Sequence, residues 1–269
     1  MNSSRGITGT GIKIIAIIIM LLDHIGAGIL KFTVDFSGVN PLSMSSVFGS
    51  GRIGVIVYFL LRKVGRLAFP LFIFFLIEGF IHTRSRLRYL FRLLLFTIIS
   101  EIPFDLAFYH ELIHPQYQNV FFTLTIGFLG IWGIEAVLKA LLREQDYTAY
   151  GPAISVRLIA AVTVSVIIML VSMMAAFLLN TDYGEEGVMT IIIMYIVRRF
   201  GNRGRATFAF ELFVGAAILT WFNFGEVTAF LDIILINMYN EKRGAGMKYL
   251  FYLFYPVHLL ILYGVCIWL

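Results

Sequence analysis

The chain has 269 residues, of which 59% are apolar and only 14% are charged. Soluble domains carry about 25% charged residues, so this composition excludes a soluble globular protein and a disordered one. The net charge of +5 is better explained by membrane orientation than by nucleic-acid binding, because no RNA- or DNA-binding motif accompanies it. The single cysteine, Cys266, excludes an intramolecular disulfide and a cysteine metal cluster.

Long apolar runs predict an all-α fold, a polytopic membrane helical bundle that forms one domain over residues 1–269. A helix needs roughly 20 residues to cross about 30 Å of hydrocarbon. The run after Lys13 is too long for a cleavable signal peptide and is interpreted as a signal anchor. Nine candidate spans cover residues 12–30, 67–82, 89–109, 120–142, 158–179, 187–200, 206–222, 224–239 and 248–268.

The distribution of Lys and Arg predicts the orientation of the bundle. On the nine-span scheme, 16 of the 21 cations fall on the side of the N-terminus. The positive-inside rule therefore predicts a cytoplasmic N-terminus and an external C-terminus. The exceptions lie in residues 31–66, which we interpret as a loop plus an interfacial helix. Either a boundary is misplaced there or the cations line a site; they are Lys31, Arg52, Arg62, Lys63 and Arg66.

Ionisable residues inside apolar spans are candidates for function, because a charge in hydrocarbon costs several kcal/mol. At 1.5 Å per residue, His24 and Glu101 lie roughly 18 Å from the inner face and His258 roughly 15 Å from it. On the same measure, Glu78 lies roughly 16 Å from the outer face. Four helices thus bring an acid or a base to one level, which predicts a shared polar cavity.

The local contexts suggest roles for these groups. Asp23 and His24 point about 100° apart on a helix, so one is expected to orient and the other to react. Glu101 and Asp105 share a helix face four residues apart, and Arg66 is the expected partner of Asp105.

The neighbouring residues favour proton chemistry. Pro256 opens the helix beside His258, and neutral histidine is the usual general base near pH 7. The chain has no Gly-Xaa-Ser-Xaa-Gly elbow, Walker loop or His-Glu-Xaa-Xaa-His motif, and we expect no metal. Histidine-assisted group transfer and proton-coupled transport both remain open.

A series of motifs resembles one known family across nearly the whole chain. The motifs occur in this order: Leu22-Asp-His-Ile-Gly26, Gly65-Arg-Leu-Ala-Phe-Pro70, Glu78-Gly-Phe80 with His82-Thr83, Ile99-Ser-Glu-Ile-Pro-Phe-Asp105, Asn119-Val-Phe-Phe-Thr-Leu124, Asp182-Tyr-Gly184 and Phe254-Tyr-Pro-Val-His-Leu259. They resemble the TraX family, named for the membrane acetylase that N-acetylates F-pilin, the conjugation pilin. The closing Tyr-Pro-Xaa-His-Leu is also similar to the end of the integral-membrane acyltransferases.

The resemblance implies a multi-pass acyltransferase of the bacterial inner membrane. Its donor would be acetyl-CoA, and its acceptor an amine or hydroxyl of a polypeptide or glycan at the lipid bilayer, with no nucleic acid involved. Arginines at 84–92 and 198–205 are candidates for holding the donor phosphates. The expected catalytic residues are His24 as base or transient acyl carrier, Asp23 as its orienting group, His258 as second base or hydrogen-bond partner, and Glu101. The expected substrate-binding residues are Arg66, Glu78, Asp105, Asn119, Asp182 and Tyr255.

Two other functions use the same inventory of residues. A proton-coupled transporter or flippase would need titratable groups at the same depth. A non-catalytic assembly scaffold would use polar side chains only to hold helices together. Only the acyltransferase would consume acyl-CoA, so this measurement distinguishes it from the transporter and from the scaffold.

Overall fold

The computed structural model describes residues 6–40, 43–142 and 156–269. Regular structure in these ranges is helical, with two isolated β-bridges beside it. The all-α prediction is therefore confirmed. The α-helices are α1 (Gly9–Ile25), α2 (Lys31–Thr33), α3 (Met44–Gly49), α4 (Ile53–Gly65), α5 (Ala68–His82), α6 (Arg86–Tyr109), α7 (Val120–Leu141), α8 (Val156–Leu178), α9 (Gly184–Phe200), α10 (Arg205–Phe222), α11 (Asp232–Asn237) and α12 (Lys248–Trp268).

Six helical segments in the described ranges are long and apolar enough to cross a bilayer, so the predicted count of nine is not confirmed. The predicted span 224–239 is wrong as a single α-helix, because a 3₁₀-helix over Phe224–Leu231 precedes the short α11. The predicted orientation of the N-terminus stays a prediction. The six segments are Gly9–Thr33, Ile53–His82, Val120–Leu141, Val156–Leu178, Arg205–Phe222 and Tyr249–Trp268.

The helix predicted within residues 31–66 is present as α4, and it runs on into α5. Arg66 and Leu67, which separate α4 from α5, keep helical backbone angles. Pro70 has no N–H to donate to the carbonyl of Arg66, so the helix loosens there without ending. The apolar segment Ile53–His82 is a candidate span, and the cations of α4 lie on this helical segment and not in a loop.

Close contact between α1 and α4 depends on glycine. A Cβ at Gly65 would overlap the side chain of Asp23, and one at Gly26 would press on the side chain of Arg62. Just beyond this contact, α1 continues as a π-helical turn over Gly26–Leu30. Such turns are frequent at functional sites. The backbones therefore approach closely at the level of the first predicted histidine.

Burial distinguishes a central helix from a lipid-facing one. The apolar window of Ile53–His82 is 67% buried, whereas that of α8 is 6% buried. Because α8 is apolar on its exposed faces as well, we assign those faces to lipid. The core is built mainly on α5, whose residues Ala68–Leu71 and Ile73–Ile77 are all buried.

The segment that precedes α1 is held by a loop from the last third of the chain. The segment before α1 pairs with the loop after α11, through Ile7 N–H to Met238 O (2.7 Å) and Asn240 N–H to Ile7 O (3.0 Å). The last helix, α12, then packs against α1 and α6. This arrangement sets the depth at which α12 presents its histidine to α1.

Candidate functional site

Two histidines 234 residues apart in sequence are in direct contact. His24 Nδ1 on α1 lies 2.6 Å from His258 Nε2 on α12. The two rings are nearly parallel, with centroids 4.9 Å apart. The other ring nitrogen of His258 lies 2.6 Å from the carbonyl oxygen of Phe254, one turn earlier in α12.

This chain of hydrogen bonds determines where the protons are when both rings are neutral. A carbonyl oxygen only accepts, so His258 Nδ1 carries a hydrogen and donates it to Phe254. His258 Nε2 is then an acceptor, and His24 Nδ1 must donate to it. His24 Nε2 is left without a proton. The arrangement gives His24 the tautomer of a general base.

His24 lines a cavity of about 310 Å³ between α1, α4, α5, α6 and the loop before α9. Its wall is partly aromatic, and Phe108 and Tyr255 each meet the His24 ring edge-on. The wall also contains both signs of charge. The charged and tyrosine residues of the lining are Asp23, Lys31, Arg62, Arg66 and Asp182, with Tyr58, Tyr109, Tyr117, Tyr183 and Tyr255.

Two ion pairs at this cavity correct the predicted partners. Asp23 Oδ2 lies 2.5 Å from Arg62 Nη1, so Asp23 holds Arg62, whereas the partner of His24 is His258. The roughly 100° between consecutive side chains on a helix explains why Asp23 does not orient His24. Arg66 Nη1 lies 2.7 Å from Glu226 Oε1 of the 3₁₀-helix, and its predicted pairing with Asp105 is wrong.

Asp182 reaches the cavity from the loop before α9. Tyr117 donates its hydroxyl to Asp182 Oδ1 at 3.1 Å. Asp182 N–H donates to Gln118 O at 2.8 Å, which holds this loop against the one before α7. Burial raises the pKa of Asp182, although the Tyr117 hydroxyl and Arg66 act in the opposite direction.

Three further predicted residues hold loops in place beside the cavity. Asn119 is the N-cap of α7: its side chain accepts from Phe121 N–H at 2.9 Å, and its amide donates to Glu101. Asp105 Oδ2 accepts from His114 N–H at 2.8 Å. Glu101, Asp105 and Asn119 are absent from the cavity lining among the described residues.

Glu78 lies at the opposite end of α5, so its predicted place in the shared cavity is wrong. Arg198 Nη1 is 2.7 Å from Glu78 Oε1, and its Nη2 is 2.6 Å from Glu211 Oε2. The guanidinium packs over the rings of Phe74 and Phe208. The error arises from the span boundary, since α5 continues α4 and Glu78 is near the end of that 30-residue segment.

Sequence reasoning left several cavity residues without an assigned role. Arg62 and Lys31 had a signal, because they were exceptions to the positive-inside pattern. Glu226, which pairs with the cavity residue Arg66 and is not itself in the lining, had none, because its predicted span was misplaced. The tyrosines outside the motifs, such as Tyr58 and Tyr109, carry no distinguishing pattern in a chain with 13 tyrosines.

Fold and site together define an integral membrane helical protein in which one member of a histidine pair lines an aromatic, charged cavity. The sequence matches the family described as TraX protein over residues 8–266, and the chain belongs to this TraX family. It is also 30% identical to the probable fimbrial assembly protein FimC, serogroup H1, of Dichelobacter nodosus, over 93% of this chain and 92% of that protein. No solved structure matches the chain significantly.

Proposed function

We propose that this protein is an integral-membrane acyltransferase that moves an acetyl group from acetyl-CoA to an amine or hydroxyl acceptor. The observation that carries the proposal is the His24–His258 pair at the cavity, which leaves His24 Nε2 unprotonated. The family resemblance supports acetyl transfer as the reaction. The bacterial inner membrane is the proposed location, with the N-terminus in the cytoplasm.

The chemistry requires one base and one positioned acceptor. The acceptor N–H or O–H gives its proton to His24 Nε2 while its heteroatom attacks the thioester carbonyl carbon. The C–S bond then breaks, and the proton on His24 passes to the departing thiolate to give free CoA. Donation from His24 Nδ1 to His258 strengthens as His24 becomes positive, which stabilises the imidazolium.

The cavity wall offers hydrogen-bond acceptors to the N–H or O–H groups of an acceptor. Asp23 Oδ1 is buried without a hydrogen-bond partner, and Asp182 adds a second carboxylate to the wall. The tyrosine rings supply apolar faces with polar edges. Since the FimC relative is named as a fimbrial assembly protein, a polypeptide N-terminus is the first acceptor to test.

The test is acetyl transfer from labelled acetyl-CoA by the purified full chain. The first acceptors are peptides with a free N-terminus, and a glycan forms the second panel. We expect His24→Ala to lose at least about 100-fold in rate, as removal of a general base does. The matched control is His110→Asn. His110 has a positive φ of 59° at the end of α6, which asparagine tolerates.

The result distinguishes the proposed function from its alternatives. Transfer that survives in His24→Ala at the rate of the control contradicts the assignment. Solute movement that follows a proton gradient without consuming acetyl-CoA favours the transporter. If substitutions of these polar residues change stability but neither acetyl transfer nor solute movement, the scaffold is favoured.

A further inference from the structure

A second cavity, of about 390 Å³, lies at the opposite end of the bundle from His24 and is strongly basic. It forms where the connection between α5 and α6 meets the loop before α12. Its lining contains four arginines and no carboxylate. The lining residues are His82, Thr83, Arg84, Ser85, Arg88, Arg92 and Arg243.

The fold brings the fourth arginine to the other three. The carbonyl of Arg243 accepts from Thr10 N–H (3.0 Å) and from Thr10 Oγ1 (2.9 Å) at the start of α1. Gly244 follows with φ of +77°, and a Cβ there would press on the Thr10 hydroxyl. The backbone at Arg243 is therefore held in one place, although its side chain is exposed.

No carboxylate of the described residues pairs with an arginine of this cavity. Among the described residues, the ion pairs include none of Arg84, Arg88, Arg92 or Arg243. The Nε of Arg92 is also buried without a hydrogen-bond partner.

The first turn of α6 adds to this positive field. The helix begins at Arg86 behind the cap of Ser85, whose Oγ accepts from Arg88 N–H. The N-terminus of a helix favours an anion. Guanidinium groups that have no carboxylate partner among the described residues, and a helix N-terminus, thus border one space.

We propose that this cavity is a binding site for a phosphate-bearing anion. Guanidinium groups bind phosphate oxygens in pairs, through a planar set of donors that matches their geometry. The same chemistry is carried by the phosphates of coenzyme A and by the headgroup of an anionic phospholipid. Coenzyme A as the ligand rests on the proposed function, whereas a phospholipid headgroup as the ligand does not.

Two arginines of the second basic segment of the sequence have other partners. Arg198 is used by Glu78 and Glu211, Arg199 pairs with Glu135, and neither lines the cavity. If coenzyme A is the anion, its phosphates lie roughly 21 Å from His24, the rise of the 14 residues from Thr10 to His24 along α1. Coenzyme A carries its phosphates and its thioester at opposite ends of the extended pantetheine chain, as this separation requires.

The experiment compares the full chain with a variant that combines Arg84→Gln, Arg88→Gln and Arg243→Gln, both in nanodiscs. The control is Arg205→Gln, which removes one cation from the other basic segment. Equilibrium binding is measured for CoA and for 3′-dephospho-CoA in phosphatidylcholine discs. Retention of phosphatidylglycerol is measured separately by native mass spectrometry. We expect at least a tenfold loss of affinity, or an equivalent loss of retained lipid, in the combined variant alone.

Each outcome decides the proposal. Weaker CoA binding with unchanged lipid retention supports the site with coenzyme A as its anion; the reverse supports a phospholipid headgroup. Unchanged binding of both, or an equal loss in Arg205→Gln, overturns the site. If the combined variant does not fold, Arg243→Gln alone is judged by the same criteria. If binding depends on the arginines but no acceptor is acetylated, the result supports the anion site and contradicts the proposed acetyltransferase function.

Discussion

Two clusters of buried charge lie at opposite ends of α5, and their surroundings differ. Around Arg198, two carboxylates and two phenylalanine rings enclose one guanidinium. Around Asp23 and Arg66, the ion pairs form part of the wall of a cavity that also holds His24. A buried charge in the bundle is therefore not by itself a functional site. The empty space beside the charge distinguishes a candidate site from a structural contact.

We expect the Arg198 cluster to contribute mainly to the stability of the fold. Arg198→Met leaves Glu78 and Glu211 buried without their cation, which should cost about 3–5 kcal/mol of unfolding free energy. Adding Glu211→Leu should recover part of the loss. Thermal unfolding of the purified protein measures both, with Arg205→Gln as the control. If Arg198→Met unfolds at the same midpoint temperature as wild type, Arg198 has no structural role.

We expect the cluster at the cavity to contribute mainly to turnover. His258→Ala should lower kcat about 100-fold and leave KM unchanged, because His24 loses the acceptor that sets its tautomer. His258→Gln should recover part of the rate, since the glutamine oxygen can accept the same hydrogen bond. Steady-state kinetics and the pH profile of kcat are the measurements. Equal rates for the alanine and glutamine variants, both near wild type, would show that the histidine contact has no role in turnover.

The close contact of α1 and α4 can be tested by adding one methyl group. Gly65→Ala should push the Asp23 carboxylate away from Arg62 and cost about 1–3 kcal/mol, as overpacking does. The matched control is Gly264→Ala in α12, where a Cβ meets nothing within 4 Å. The control should be neutral or slightly stabilising. Chemical unfolding compares the two, and an equal stability for both would contradict the close approach.

The smallest expected effect is a dependence on pH at the rim of the cavity. Burial raises the pKa of Asp182, so ionisation of this carboxylate destabilises the fold. The stability of Asp182→Asn relative to wild type should therefore rise with pH, starting at the unfolded pKa and levelling off above the folded one. Thermal unfolding across an acidic pH series measures this slope.

A second aspartate provides a control of opposite sign. Hydrogen bonds from Ser37 lower the pKa of the exposed Asp35. Wild type should therefore gain stability over Asp35→Asn as pH rises between the folded and the unfolded pKa. Slopes of the same sign for both variants would contradict the difference in environment.

Particular residues show how far sequence reasoning reached. The depth of His24 and His258 follows from counting residues along apolar runs, and the two side chains do meet. The same count gives the wrong depth for Glu78. It began at residue 67, whereas the apolar helical segment begins at Ile53. Arg62 was flagged only as an exception to a charge rule. Its pairing with Asp23 depends on a glycine contact that no local pattern encodes.

Composition and the order of motifs were sufficient for the helical membrane class and the TraX family. Each apolar run is a local property of the sequence, and its length and hydropathy alone indicate whether it can form a helix across a bilayer. The pairing of side chains was decided by packing. Whether His24 meets His258 or Asp23, and whether Arg66 meets Glu226 or Asp105, depends on which helix faces lie together. Those choices involve residues up to 234 positions apart, and only the assembled bundle brings them within hydrogen-bonding distance.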